Sequence, residues 1–149
     1  MAKTAYIFPG QGSQYVGMGK DLCAQSETAR RLFADADAIL GVGLSAICFE
    51  GPEVALRQTK NTQPALFLHS MAITALLGER AEASMAAGHS LGEYSALVYA
   101  GAMSFEEGLR LVRLRGELMQ RAGEEPRGTM AAVVGLAPAV VEELCREAS

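Results

Sequence analysis

Gly88-His89-Ser90-Leu91-Gly92 decides how this sequence is read, with the small residues Ser84 to Ala87 before it and Glu93 to Ala100 after it. Small residues, a five-residue turn and a helical stretch ending at Gly101 read as strand, tight turn and helix. The G-x-S-x-G spacing is that of a nucleophile elbow. Its serine sits in a strained turn, and glycines two positions away on each side leave room for the crossing chain. The turn pushes the Ser90 hydroxyl outward, and it sets the Leu91 backbone N–H and the helix N-terminus beside a developing oxyanion. Ordinary Gly-Ser turns share the spacing, so the flanking strand and helix are what single this one out.

Working outward, Thr4 to Phe8 reads as a buried strand that stops at Pro9-Gly10-Gln11-Gly12, a Gly-rich loop. A helix is expected from about Lys20 to Leu40, stopped by Gly41. Pro64 suits the first turn of a second helix, with Ala65 to Leu77 apolar on every side and therefore buried. Ser104-Phe105-Glu106-Glu107 is a capping box, which predicts a helix from Phe105 to about Arg121, ending near Gly123. Thr129 to Val134 reads as a strand, and Pro138 opens a last helix. Strands alternating with helices predict an α/β fold with a parallel sheet, Ser90 lying at the C-terminal edge of a central strand.

At 149 residues and half apolar, the chain can bury one main core. A net charge of -4 disfavours a nucleic-acid binder. Cys23, Cys48 and Cys145 are too few and too scattered for a disulfide framework or a zinc site, so a reducing compartment and no metal are expected. The first apolar run breaks at Pro9-Gly10, which leaves no signal peptide and no membrane span and predicts a cytoplasmic protein. Phosphate-loop patterns fail as well: Gly19-Lys20 needs a glycine where Gln14 stands, and the dinucleotide pattern fails at Tyr15.

At 100° per residue Arg115 falls between Leu111 and Leu118 on one side and Val112 and Met119 on the other, the middle of an apolar face. Arg110, Arg113, Glu117 and Arg121 fall opposite. An arginine aimed at a core either snorkels out or meets a carboxylate. His89 precedes Ser90 along a strand and points away from it, so it reads as structural. His69 reads as a hydrogen-bonded core histidine, and Glu93 as a partner of the helix dipole with no catalytic part. Gln63 either braces the site or belongs to turn-and-cap chemistry in Thr62-Gln63-Pro64. The seven methionines read as core filler.

Five separated motifs resemble the malonyl-CoA:acyl carrier protein transacylases and the acyltransferase domains of fatty acid and polyketide synthases. They are FPGQGSQ (Phe8 to Gln14), CFEGP (Cys48 to Pro52), NTQPAL (Asn61 to Leu66), GHSLGEYSAL (from Gly88) and RLRGELMQ (Arg113 to Gln120). The resemblance implies a hydrolase-like large subdomain over residues 1–123 and the beginning of a ferredoxin-like subdomain over 124–149. It implies Ser90 as the acylated nucleophile, the backbone N–H groups of Gln11 and Leu91 as the oxyanion hole, and Arg115 as the partner of the malonyl carboxylate. A guanidinium fork suits that carboxylate through two parallel hydrogen bonds. The substrates implied are malonyl-CoA and phosphopantetheinylated acyl carrier protein, with no bound cofactor.

The resemblance places the catalytic histidine well after the arginine helix, past Ser149, so a C-terminal remainder is expected to supply the base. Two rivals stand beside the transacylase. A serine esterase or thioesterase shares the elbow but passes the acyl group to water, and an incompetent relative only binds acyl-CoA or carrier protein.

Overall fold

Two parallel strands set out the two loops of interest. In this computed structural model, which describes residues 3–78, 83–124 and 133–148, β1 (Ala5–Phe8) pairs with β2 (Met85–Gly88). Ala5 lies opposite Met85 and Phe8 opposite Gly88, so the Pro9 loop and the Ser90 turn leave the same end of the sheet. Helices α1 (Lys20–Gln25), α2 (Glu27–Leu40), α3 (Leu44–Glu50), α4 (Glu53–Leu56) and α5 (Thr59–Leu77) separate the strands. After β2 come α6 (Gly92–Tyr99), α7 (Phe105–Glu124) and α8 (Pro138–Glu147). The α/β class and the parallel pairing agree with the sequence reading.

Burial departs from it. Tyr6 and Phe8 pack with Tyr99 of α6 on one face of the sheet, ring centroids 4.7 and 6.3 Å from Tyr99. On the other face Ile7 is 72% exposed and Met85 53%. Only Phe8 of β1 is buried, so the expected buried strand is covered on one side only. Among the described residues the sheet has two strands, and β2 has no second neighbour that would make it central.

The helix expected over Lys20 to Leu40 is broken at Ser26, which adopts an extended backbone and accepts the Ala29 N–H on its hydroxyl. A serine offered that cap terminates one helix and starts another. The short helices α3 and α4 had no counterpart in the sequence reading. The capping box forms, with the Ser104 N–H donating to Glu107 at 2.8 Å and the Glu107 N–H to Ser104 Oγ at 3.2 Å. The Ser104 N–H and hydroxyl, both donating to it, hold the Glu107 carboxyl below its usual range. Helix α7 runs from Phe105 to Glu124, one residue past the expected end near Gly123. The strand expected at Thr129 to Val134 lies mostly outside the described residues, and Val133 and Val134 are not in a strand.

The core is built around α5, against which α2 and α7 pack. Ala65, Leu66, Phe67, Leu68 and Ala72 are fully or almost fully buried there, but Ile73, Leu76 and Leu77 are exposed, so the all-round apolar stretch is buried only in its first part. Helix α5 nevertheless starts at Thr59, and Pro64 lies inside it rather than in its first turn. Proline lacks the N–H that would bond to the Lys60 carbonyl one turn earlier. Arg113 of α7 donates to that carbonyl at 3.1 Å, and also to Asn61 Oδ1 at 3.0 Å. Gln120, two turns on, accepts the Lys60 N–H at 3.3 Å. Thus α7 supplies the bonds that α5 cannot make for itself, and Arg113 is a bridge between helices rather than a solvated residue. Gly116 makes the approach possible, because a Cβ there would lie 2.7 Å from the Thr59 carbonyl oxygen. Among the described residues no helix is long and apolar enough to cross a membrane.

Candidate active site

Ser90 has φ 55°, the one positive φ outside glycine among the described residues. For an L-residue that conformation is strained and persists only where the surroundings impose it. Here the surroundings are Gly88 and Gly92. A Cβ on Gly88 would lie 1.9 Å from the Gly92 carbonyl carbon, and one on Gly92 would lie 2.4 Å from the Phe8 carbonyl oxygen. The first glycine lets α6 fold back over β2. The second lets the α6 N-terminus rest against the end of β1, which brings the Pro9 loop beside the serine.

The N–H groups of Gly92, Glu93 and Tyr94 donate to the carbonyls of His89, Ser90 and Leu91, while His89 N–H donates to Phe8. None of these bonds uses the Leu91 N–H. It remains at the head of α6, where the helix dipole favours negative charge. Gln11 is exposed in the facing loop, its side-chain amide donating to Thr59 Oγ1 at 3.3 Å.

Arg115 reaches the serine. Its Nη2 donates to Ser90 Oγ at 2.8 Å and its Nη1 to Gln63 Oε1 at 2.7 Å. The buried face of α7 runs through Leu109, Val112 and Gly116, while Leu111, Leu114 and Leu118 are exposed. Arg115 therefore lies at the border of that face, half-buried, rather than in its middle. Periodicity counts Leu111 and Leu118 as core, and they are not.

Gln63 is fully buried within α5. It plays no part in a turn: Asn61 Nδ2 and Thr62 Oγ1 bond to the Ala55 and Leu56 carbonyls ending α4, and Gln63 turns towards Arg115. Its Nε2 donates to Met119 Sδ at 3.2 Å, so this methionine is more than filler. The Met119 contact had no sequence signal. His89 packs on Gly10, whose Cβ would meet its Nδ1 at 2.4 Å. His69 is half-buried edge-on to Tyr15, ring centroids 6.3 Å apart, rather than hydrogen-bonded as expected, and burial pushes its imidazole below the usual range. Neither histidine bonds to Ser90. No cluster of three or more metal-ligating side chains occurs among the described residues.

A strained serine on a strand-turn-helix, faced by a Gly-rich loop and touched by an arginine, is equipped for acyl chemistry on a thioester or ester carrying a negative group. The family model for the acyl transferase domain matches residues 5–148. This chain belongs to that family. Within it, the chain is 49% identical over 137 residues to the malonyl CoA-acyl carrier protein transacylase of Bacillus subtilis, covering 91% of this chain and 43% of that one. Its fold superposes on the crystal structure of FabD from Acinetobacter baumannii with a TM-score of 0.86 at 48% identity, over 97% of this chain and 46% of that one. It also superposes on a malonyl-transacylase solved with its type II PKS acyl-carrier protein, with a TM-score of 0.84 at 41% identity, over 98% of this chain and 48% of that one. The chain spans about half the length of the curated relatives it matches. The Ser90 turn, the Gln11 loop and the Arg115 helix all lie inside the stretch matched to the acyl transferase family.

Proposed function

We propose that Ser90 takes a malonyl group from malonyl-CoA and passes it to the phosphopantetheine thiol of an acyl carrier protein. The observation that carries this is the Arg115 guanidinium, anchored by Gln63 and in contact with Ser90 Oγ. A malonyl ester on Ser90 has its free carboxylate within reach of that guanidinium, and a charge-assisted pair there selects a carboxylated acyl group. In the first half-reaction Ser90 Oγ attacks the thioester carbonyl, the C–S bond breaks and CoA leaves with the serine's proton. In the second, the carrier thiol attacks the Ser90 ester, the acyl C–Oγ bond breaks and the thiol's proton goes to Oγ. The Gln11 and Leu91 N–H groups stabilise the oxyanion in both, each such donor contributing roughly 2.7 to 4 kcal/mol in other enzymes.

Neither His69 nor His89 serves as the base, so the proton passes to a histidine in the half of its relatives that this chain does not span. Residues up to Gly123 act as the hydrolase-like large subdomain. Residues 124–149 begin a ferredoxin-like one, a reading supported by α8, which buries none of its own residues. Arg115 selects the acyl group rather than the acceptor; the match of residues 5–148 to the acyl transferase family is what favours transfer over hydrolysis. Measuring malonyl transfer to carrier protein alongside release of free malonate, with a polypeptide matching the other half of its relatives added, tests the proposal. Transfer without hydrolysis supports it, hydrolysis alone indicates an esterase, and binding with neither indicates an incompetent relative.

A further inference from the structure

We propose that Met119 is a positioning residue: its thioether fixes the sense of the Gln63 amide and thereby aims Arg115 at the carboxylate of the acyl group. This rests on the malonyl-transfer reading above. Arg115 and Met119 lie four residues apart, one turn along the same face of α7. Between them they grip both ends of one buried amide. Arg115 Nη1 donates to Gln63 Oε1 at 2.7 Å, and Gln63 Nε2 donates to Met119 Sδ at 3.2 Å.

The chemistry admits one orientation of that amide. Reversed, the amide would point its own N–H groups at a guanidinium that can only donate and its oxygen at sulfur lone pairs. Sulfur is a weak acceptor, yet Gln63 is fully buried, and water offers its Nε2 no substitute. Without the sulfur the buried Nε2 is left without an acceptor, nothing holds that end of the amide, and Oε1 moves off Arg115 as the amide turns. The guanidinium then keeps its charge and its bond to Ser90 but loses the tether that holds the fork in register with a carboxylate. Periodicity cannot show this role, because Met119 earns it only through a partner on another helix.

The test is a malonate titration of the 149-residue chain, following the Arg115 Nε–H and the Gln63 side-chain amide by NMR, with acetate as the control. In the unsubstituted chain malonate shifts the Arg115 resonance, acetate does not, and Arg115→Ala abolishes the response. Met119→Leu, close in volume but without an acceptor, weakens malonate roughly three- to tenfold and moves the Gln63 amide resonances. Met119→Gln, of similar length and bearing an acceptor oxygen, restores the affinity. If Met119→Leu binds malonate as the unsubstituted chain does, the positioning role is wrong while the malonyl reading stands. If Met119→Gln is as weak as Met119→Leu, the sulfur acts by packing alone and the proposal is overturned. An unsubstituted chain without Arg115-dependent malonate binding overturns both.

Discussion

The Arg115 guanidinium lies 2.8 Å from the Ser90 hydroxyl oxygen, although 25 positions separate the two residues in sequence. Arginine can only donate, so the serine oxygen accepts, and the serine's own proton stays free to leave. Under the proposed function, the cation held there meets the malonyl carboxylate once the acyl group has arrived.

Under the proposed function, replacing Arg115 by alanine removes the partner of the malonyl carboxylate. A hydrogen bond to a charged group contributes about 1.5 to 3 kcal/mol, so malonyl transfer falls at least about tenfold while acetyl transfer is spared. Parallel kcat/KM measurements with the two thioesters check this. An equal fall for both would make Arg115 structural.

The elbow glycines admit no side chain. Gly88→Ala and Gly92→Ala drive a Cβ into backbone atoms and cost about 3 kcal/mol or more, read as a lowered urea midpoint. Gly41→Ala, at φ 66° but with open space around it, carries only the left-handed backbone strain of about 1 to 2 kcal/mol. Equal losses at Gly41 and Gly92 would remove the steric account of the turn.

Burial lowers the His69 pKa, so the unfolded chain binds the proton more readily than the folded one. The stability that His69 contributes as a neutral residue is present above the ordinary value of 6.5 and is lost as pH falls through its lower folded-state value. Urea midpoints measured between pH 7.5 and pH 5 are expected to fall with acidity, and to fall less in His69→Gln. An identical slope in the variant would locate the titration elsewhere.

Under the proposed function, with no histidine bonded to Ser90, the 149-residue chain is expected to turn over slowly, limited to what the oxyanion groups provide. Adding a polypeptide that matches the second half of the family is expected to raise malonyl transfer by orders of magnitude. A chain that already turns over as fast as a full-length relative has its base within it, and the reading of His69 and His89 would be wrong.

What could be read from the sequence was local. The elbow, the capping box at Ser104 and the breaks at Gly41 and Pro138 follow from rules that act over four or five residues, and all four appear where expected. Pro64 was misread because the lost bond at Lys60 is replaced by Arg113, more than fifty positions away. Leu111 and Leu118 count as core by periodicity, which reports an apolar face without reporting what covers it. Gln63 could be tied to Arg115 only once α5 and α7 were packed together, and Met119 came to light the same way.

Covalent chemistry at Ser90 gives the most direct test of the central claim. The chain, together with the polypeptide matching the other half of its relatives, is incubated with malonyl-CoA, quenched in acid and weighed by intact-mass spectrometry, with peptide mapping of any adduct. One malonyl group on Ser90 is expected, removed by added phosphopantetheinylated carrier protein and absent from Ser90→Ala. A malonyl adduct that persists in Ser90→Ala, or that maps to any other residue, would contradict the account.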